Sequence, residues 1–177
     1  FTYNIVHAIR KLGCNDIDVV RNDCIALEKI AGYDKIVLSP GPGIPSESGI
    51  LQDLIRTYAP SKSIFGVCLG EQAIGEIFGA KLVNLSTVYH GVATEIKVVE
   101  NDRLFEGLDK TFTAGRYHSW IVSGENFPDE LKITAIDGNN NIMALSHRKY
   151  DVCGVQFHPE SVLTPVGDRI LKNWIYG

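Results

Sequence analysis

The sequence has no long hydrophobic run, no excess of basic residues and no paired cysteine motif. No apolar stretch approaches the roughly 20 residues of a membrane-spanning helix, and no signal peptide is visible, so we expect no membrane association. The formal net charge is −4 and no Lys/Arg cluster offers a footprint for phosphates, so nucleic acid is not an expected partner. The four cysteines lack the Cys-x-x-Cys pairs of a zinc site, so we expect free thiols, no bound metal and a cytoplasmic protein.

A chain of 177 residues with 45% hydrophobic and 21% charged residues is typical of a single globular domain. Apolar strands alternate with amphipathic helices, which predicts an α/β fold with a doubly wound, mostly parallel central sheet flanked by helices. The predicted helices cover residues 3–12, 25–30 and 48–58, one helix directly after residue 68, and a last helix running through residue 174. The predicted buried strands are residues 18–20, 35–39, 64–67 and 152–157.

The second half of the chain has a different pattern, in which apolar residues alternate with polar or charged ones. This alternation predicts half-exposed, antiparallel strands added to the parallel sheet. Thr164 and Pro165 are a typical N-cap and first residue for the last helix. The predicted strands of this region are residues 81–85, 94–99, 132–136 and 142–145.

Residues 66–70, Gly-Val-Cys-Leu-Gly, have the pattern of a nucleophile elbow. Glycines two positions either side of Cys68 allow a tight turn from strand to helix that exposes the central side chain. The helix N-terminus is expected to favour the thiolate and to lower the pKa of Cys68. The backbone amide of Leu69 can then supply half of an oxyanion hole. Alone, this motif is modest evidence, because most cysteines are buried as small hydrophobic residues.

A rigid loop, Ser-Pro-Gly-Pro-Gly-Ile-Pro at residues 39–45, follows the predicted strand 35–39. Composition alone would explain it as a simple turn. However, ligands of open α/β sheets bind at the carboxyl ends of the strands, where this loop and Cys68 both belong. A glycine amide can approach a substrate oxygen closely, so we expect Gly43 to be the second oxyanion donor, with Gly41 a weaker candidate.

A thiol nucleophile needs a base and a group that orients the base. Of the five histidines, His158 follows a predicted buried strand, where such sheets place their chemistry. Glu160 is two residues further on and can fix the tautomer of the imidazole and stabilise its cation. We therefore expect Cys68, His158 and Glu160 to be the catalytic residues, whereas His7 and His147 are interpreted as solvated or structural.

Three separated motifs together resemble those of the class I (triad) glutamine amidotransferases, and the resemblance covers nearly the whole chain. Within that family the chain is most similar to the glutaminase subunits of anthranilate synthase and aminodeoxychorismate synthase, which share Arg-Tyr-His-Ser and a Leu-Thr-Pro-x-Gly segment (residues 116–119 and 163–167). The motifs are residues 39–43, 66–72 and 157–161.

The resemblance implies that Cys68 attacks the side-chain amide of L-glutamine and forms a γ-glutamyl thioester that water hydrolyses. It implies that Gln72 and two short segments bind the substrate: Gly41, Pro42 and Gly43, and Ser119 with Trp120. Ammonia would pass to the large subunit of a chorismate-converting synthase, either anthranilate synthase component I or aminodeoxychorismate synthase component I. That partner would carry magnesium, and this subunit would need no cofactor.

The chain departs from the family pattern at three places. We interpret residues 1–177 as a single domain. The family begins with a strand and an Asp-Asn-x-Asp-Ser segment, whereas this chain starts at Phe1. We therefore expect that about ten residues, including this strand, are missing before Phe1. Glu71 stands where many relatives have His, and we expect its side chain to point outward. Trp120 replaces the usual Leu, and we expect it to act through its backbone.

Three alternatives remain at this stage. One is an amidotransferase subunit for GMP, carbamoyl phosphate or CTP synthesis. Another is a free-standing hydrolase of the γ-glutamyl hydrolase kind, which would need no partner. The third is a binding module that has kept the fold and lost its activity, although all three triad residues are present.

Overall fold

The computed structural model describes all residues, 1–177, as four α-helices, nine β-strands and three short 3-10 helices. The α-helices are α1 (Thr2–Lys11), α2 (Leu51–Tyr58), α3 (Leu69–Ile77) and α4 (Gly167–Tyr176). The strands are β1 (Lys35–Leu38), β2 (Ser63–Val67), β3 (Leu82–Asn84), β4 (Val92–Val98), β5 (Thr111–Arg116), β6 (Trp120–Val122), β7 (Leu131–Ile136), β8 (Ile142–His147) and β9 (Val152–Val155). The 3-10 helices are Leu27–Gly32, Pro45–Glu47 and Arg103–Phe105.

Seven strands form one mixed sheet in the order β1-β2-β9-β8-β7-β4-β5, and β3 pairs with β6 in a separate antiparallel sheet. The pairs β1–β2 and β2–β9 are parallel, whereas the pairs from β9 through β8, β7 and β4 to β5 are antiparallel. The predicted α/β class with an antiparallel second half is thus confirmed. Because β9 lies directly beside β2, the carboxyl ends of these two strands are neighbours.

The sheet is covered by helices on both faces, and each face has its own core. Ile9 of α1 and Trp174 of α4 pack with Phe65 and Val155 on one face. The helices α2 and α3 pack on the other face against Ile64 and other residues of the sheet. The longest helices, α1 and α4, have ten residues, and no helix is both long and apolar enough to cross a bilayer.

Two strand predictions were wrong. Residues 18–20 form no strand, since a strand exists only beside a hydrogen-bonded partner and β1 pairs with β2 alone. β8 was expected to be half-exposed, but its first five residues are buried, because β8 lies between β9 and β7 inside the sheet. The strands β5 and β6 were not predicted.

Candidate active site

The nucleophile elbow predicted at Cys68 is present. β2 ends at Val67 and α3 begins at Leu69, so Cys68 occupies the turn between them with φ 55° and ψ −101°. This backbone conformation is rare for a residue with a side chain and marks a strained turn. A Cβ at Gly66 would collide with the backbone of Gly70, and a Cβ at Gly70 would collide with that of Leu38. The two glycines are therefore required by close packing.

The strand register sets Cys68 beside the segment that carries His158. Val67 of β2 is paired with Val155 of β9, and the Cys68 amide donates to the Val155 carbonyl over 2.8 Å. The next residue, Gln156, donates from Nε2 to the Cys68 Sγ over 3.4 Å. His158 follows two residues later, so the structure brings both predicted catalytic residues to the carboxyl ends of adjacent strands.

His158 and Glu160 form the predicted pair. His158 Nδ1 lies 2.9 Å from Glu160 Oε2, and both side chains are almost wholly buried. His158 Nε2 is also buried and has no partner in the protein, so it remains available for proton transfer. The imidazole is flanked by the rings of Phe1 and Tyr117, with centroids at 4.5 Å and 4.8 Å. A carboxylate at Nδ1 holds the tautomer whose Nε2 can accept a proton.

Thr164 holds the turn that carries His158. Its Oγ1 donates to the His158 carbonyl over 2.7 Å and accepts from the Gly115 amide over 2.9 Å. The prediction that Thr164 caps the last helix was wrong, since α4 begins at Gly167 and its N-cap residue is Val166. The hydroxyl is used instead to fix the backbone of the proposed base.

The expectation that Cys68 has a lowered pKa was wrong. Burial raises the pKa of the Cys68 thiol to about 12, and the Glu71 and Glu160 carboxylates add to the rise. Hydrogen bonds from the Leu69 amide and the Gln156 side chain act in the opposite direction and lower this pKa. Loss of solvation at this site thus outweighs the helix N-terminus and disfavours the thiolate.

Glu71 does not point outward, contrary to expectation. Its side chain is fully buried between α3 and the sheet, and neither carboxyl oxygen has a hydrogen-bond partner. A Cβ at Gly154 would lie 2.8 Å from the Glu71 Cβ, so the paired glycines Gly66 and Gly154 leave room for this turn of helix. Burial raises the pKa of Glu71 well above its usual value. The sequence contains a sign of this, since Glu71 precedes Ile74 by three residues and so shares its inward face.

The predicted oxyanion donors have different surroundings. Leu69 is the first residue of α3, directly after the nucleophile, and its amide lowers the pKa of the Cys68 thiol. Gly41 is in contact range of the Leu69 side chain, at 3.4 Å from an added Cβ. Gly43 has φ 80° in the exposed loop, and a Cβ there would lie 3.2 Å from Glu47 Oε2. Pro42 is also exposed. The role of Gly43 therefore stays a prediction.

The predicted substrate residues Gln72 and Trp120 are brought together. Gln72 is buried, and its Nε2 donates to the Trp120 carbonyl over 2.9 Å and to Gln156 Oε1 over 3.1 Å. The Trp120 carbonyl thus holds Gln72, and a backbone contact from Trp120 to the substrate stays a prediction. The Ser119 carbonyl accepts from the Leu85 amide over 2.7 Å. Gln156 was not singled out from the sequence, although a polar residue inside the predicted buried strand 152–157 was a usable signal. In the structure it is fully buried.

A second buried polar cluster contacts the Trp120 carbonyl through His118. From the sequence, residues 116–119 indicated only a family motif, and this cluster was not predicted. Arg116 is buried and pairs with Asp137 over 2.8 Å, while its Nε donates to His118 Nε2 over 3.1 Å. His118 Nδ1 contacts the same Trp120 carbonyl at 3.0 Å. The Arg116 guanidinium also lies 3.6 Å from the centre of the Tyr89 ring. Burial, and then the charge of Arg116, lower the pKa of His118 to about 4.

No group of three or more His, Cys, Asp or Glu side chains is arranged to hold a metal ion. The buried groups at the strand ends are a thiol, an imidazole paired with a carboxylate, and amide donors. This set is suited to acyl transfer through a covalent thioester, with the imidazole moving protons.

Comparison with known proteins points to the same chemistry. The sequence profile described as "Glutamine amidotransferase class-I" matches residues 1–177. The chain is 44% identical over 178 residues to anthranilate synthase component 2 of Porphyra purpurea, covering 99% of this chain and 93% of that protein. It is 43% identical over 182 residues to anthranilate synthase beta subunit 1, chloroplastic, of Oryza sativa subsp. japonica, with coverages of 99% and 63%. A solved structure from Thermoplasma acidophilum, provisionally described as one subunit of GMP synthase, has a TM-score of 0.87 at 28% identity, with coverages of 99% and 86%.

Proposed function

Since this chain belongs to the class I glutamine amidotransferases, we propose that it is the glutaminase subunit of anthranilate synthase, in tryptophan biosynthesis. It hydrolyses L-glutamine to glutamate and ammonia and passes the ammonia to a chorismate-converting synthase subunit. The observation that carries the proposal is the buried His158–Glu160 pair, with a free Nε2, on the strand next to the Cys68 elbow. The near full-length similarity to anthranilate synthase component 2 supports the choice of synthase.

In the first half of the reaction, Cys68 Sγ attacks the side-chain carbonyl carbon of glutamine. His158 Nε2 takes the thiol proton and gives it to the leaving nitrogen, so ammonia departs and a γ-glutamyl thioester remains. The negative oxygen of the tetrahedral intermediate is held by the Leu69 and Gly43 amides. Glu160 keeps the imidazole oriented and stabilises its cationic form.

In the second half, His158 removes a proton from water, which attacks the thioester carbonyl. The carbon–sulfur bond breaks, glutamate leaves and Cys68 recovers its proton from the imidazole. Gln72, Ser119, Trp120 and the loop of Gly41 and Pro42 hold the glutamate portion of the substrate. No cofactor takes part in this subunit, and magnesium belongs to the partner.

The need for a partner is supported by the state of the nucleophile. Burial and two carboxylates raise the pKa of Cys68 and so make its proton harder to remove, and the free subunit is therefore expected to be a slow glutaminase. Ammonia that is released without a receiving site escapes into solvent. Docking of the synthase subunit is therefore expected to accelerate glutamine hydrolysis and receive the product.

The second candidate is the glutaminase subunit of aminodeoxychorismate synthase, in folate biosynthesis, or a subunit shared by both enzymes. The Arg116–Ser119 and Leu163–Pro165 motifs, which the two kinds of subunit share, favour this candidate over other amidotransferases.

The proposal is tested by mixing the full-length protein with glutamine, chorismate and magnesium. Separate reactions receive the large subunit of anthranilate synthase or that of aminodeoxychorismate synthase from the same organism. Released glutamate and the aminated product are measured for the wild type, for Cys68→Ser and for Cys24→Ser, which removes an exposed thiol as the control.

Anthranilate formation with partner-stimulated hydrolysis, lost in Cys68→Ser and kept in Cys24→Ser, is the expected result. Aminodeoxychorismate alone would move the protein to folate synthesis, and both products would identify a shared subunit. Fast hydrolysis that neither partner changes would refute the subunit function and favour a free-standing hydrolase.

A further inference from the structure

The side chain of Gln156 connects the nucleophile to the residue expected to bind the substrate. Gln156 is fully buried, and its Nε2 donates to Cys68 Sγ over 3.4 Å. Its Oε1 accepts from Gln72 Nε2 over 3.1 Å. One amide thus contacts the sulfur through its donor and Gln72 through its acceptor.

The hydrogen bonds of Gln72 fix the orientation of its amide. An NH₂ group has two hydrogens, and those of Gln72 are directed to Gln156 Oε1 and to the Trp120 carbonyl. Only the acceptor oxygen Oε1 of Gln72 is then left without a partner in the protein. A ligand bound there has to offer an N–H or O–H donor, such as an amide or ammonium group.

The bond to sulfur has a different consequence. An N–H donor stabilises a thiolate more than a thiol, because a hydrogen bond to a charged acceptor is the stronger one. Burial and two carboxylates disfavour the Cys68 anion, and only the Leu69 amide and the Gln156 side chain act against them. Loss of one donor should therefore be visible in the acidity of the nucleophile.

We propose that Gln156 is a positioning residue with two separable tasks: its N–H donor stabilises the Cys68 thiolate, and its oxygen orients Gln72 to accept a hydrogen bond from glutamine. This rests on the proposed glutaminase function. Neither task requires Gln156 to touch the reacting atoms of the substrate. The two tasks use different atoms of one amide, so different substitutions separate them.

Gln156→Glu keeps an oxygen that can accept from Gln72 and loses the amide N–H donor to sulfur, which a carboxyl group replaces. Gln156→Met loses both the donor and the acceptor. Because Met has nearly the same length and volume as Gln, the change disturbs packing little. Thr134→Val is the matched control, because Thr134 is also fully buried in a strand and its hydroxyl has no partner. Thermal melting of each variant verifies folding.

Two measurements are made on the full-length protein carrying Cys14→Ser and Cys24→Ser, which removes the two accessible thiols outside the site. The first is the rate of Cys68 alkylation by iodoacetamide at several pH values between 7 and 9, without glutamine or partner, since this rate follows the thiolate fraction. The second is kcat and KM for glutamine, measured in the complex with the large synthase chain. The alkylation profile would not move if Gln156 had a purely structural role.

Both Gln156 variants are expected to lower the rate of Cys68 alkylation about tenfold and to lower kcat. KM should rise about tenfold in Gln156→Met and stay near the wild-type value in Gln156→Glu. The proposal is overturned if the alkylation rate in Gln156→Met matches that in Thr134→Val, or if both Gln156 variants have the same KM.

Failure of the proposed function has a separate signature. In that case the unsubstituted protein would release no glutamate with either synthase subunit, or would release it equally fast without one. The alkylation profile would still report on the bond between Gln156 and Cys68, since it requires no glutamine.

Discussion

Arg116 Nη1 and Asp137 Oδ2 form an ion pair 2.8 Å long inside the protein, where the two side chains are 1% and 3% exposed. Asp137 also accepts three hydrogen bonds from Asn139 and Asn141 in the turn that it begins. Burial raises the pKa of Asp137, but the bonds from Asn141, then that from Asn139 and the charge of Arg116, outweigh it and lower the pKa overall. The turn after β7 is thus tied to the end of β5.

Replacing Asp137 by Ala should destabilise the protein by about 3 to 5 kcal/mol, because it leaves the Arg116 charge buried without a partner. Chemical denaturation measures the change. The matched control is Asp23→Ala, which breaks the exposed pair with Arg21 and should leave the stability close to that of the wild type. Equal losses in both variants would mean that the buried pair has no special role.

Glu71→Gln should raise the free energy of unfolding at neutral pH. Since burial raises the folded-state pKa of Glu71, the unfolded chain releases this proton first. Stability is therefore lost as pH rises above the ordinary pKa of Glu, and a neutral Gln does not suffer this loss. The advantage of the variant should shrink as pH falls towards about 4.5.

Denaturation across pH 4.5 to 8 tests this, with the exposed Glu125→Gln as the control. A stability difference that does not depend on pH would contradict the neutral, buried state of Glu71.

Gly66→Ala should destabilise the fold by about 3 kcal/mol or more and abolish glutamine hydrolysis. The added methyl group would meet the backbone of Gly70, which cannot rotate away as a side chain could. Gly124→Ala is the control, since a Cβ there meets nothing within 4 Å. Thermal melting and glutaminase assays follow both variants, and a stable, active Gly66→Ala protein would refute the tight elbow.

His118 should make the protein sensitive to mild acid. Its pKa is about 4 in the folded protein, against an ordinary value of 6.5. The unfolded chain therefore binds this proton first, and the contribution is complete above pH 6.5 and lost as pH falls through 4. The full loss is roughly 3 kcal/mol.

Between pH 7 and pH 4 the free energy of unfolding should therefore fall by about 3 kcal/mol more in the wild type than in His118→Gln. Denaturation at several pH values measures it, with the exposed His90→Gln as control for loss of an imidazole. A constant difference would exclude His118 as the source of the acid sensitivity.

Glu160→Gln should lower kcat for glutamine hydrolysis by about 100- to 10,000-fold, with little change in KM. The amide no longer stabilises the imidazolium of His158 and can hold the wrong tautomer. Kinetics in the complex with the synthase subunit measure this, and the exposed Asp168→Asn is the control acid on the neighbouring helix. An unchanged kcat would remove Glu160 from the triad.

The local motifs were predictable because each depends on a few neighbouring residues. The glycines around Cys68 specify the turn in any sheet that contains it, and Glu160 is close enough in sequence to reach His158. The alternation of strands and helices likewise indicated the α/β class. Nothing local, however, indicated that β8 would lie inside the sheet or that residues 18–20 would find no partner strand.

The electrostatic state of the site could not be read from the motifs. The sequence placed Cys68 at a helix N-terminus, which lowers a thiol pKa, but it could not supply the loss of solvation that raises it to about 12. The pairing of Gly66 with Gly154, which makes room for Glu71, joins residues almost ninety positions apart. The contact between Gln156 and Cys68 depends on the same register.

The sequence by itself determined the elbow, the proposed base and its carboxylate, and the family, since these are specified by short runs of residues with fixed backbone needs. Only the tertiary structure decided which polar groups are buried with the nucleophile. Strand register brings Gln156, which follows β9, to Cys68 and Gln72 at the start of α3, and burial encloses Glu71 of the same helix with them. Solvation and hydrogen bonding depend on those long-range neighbours, and they determine how acidic the thiol is.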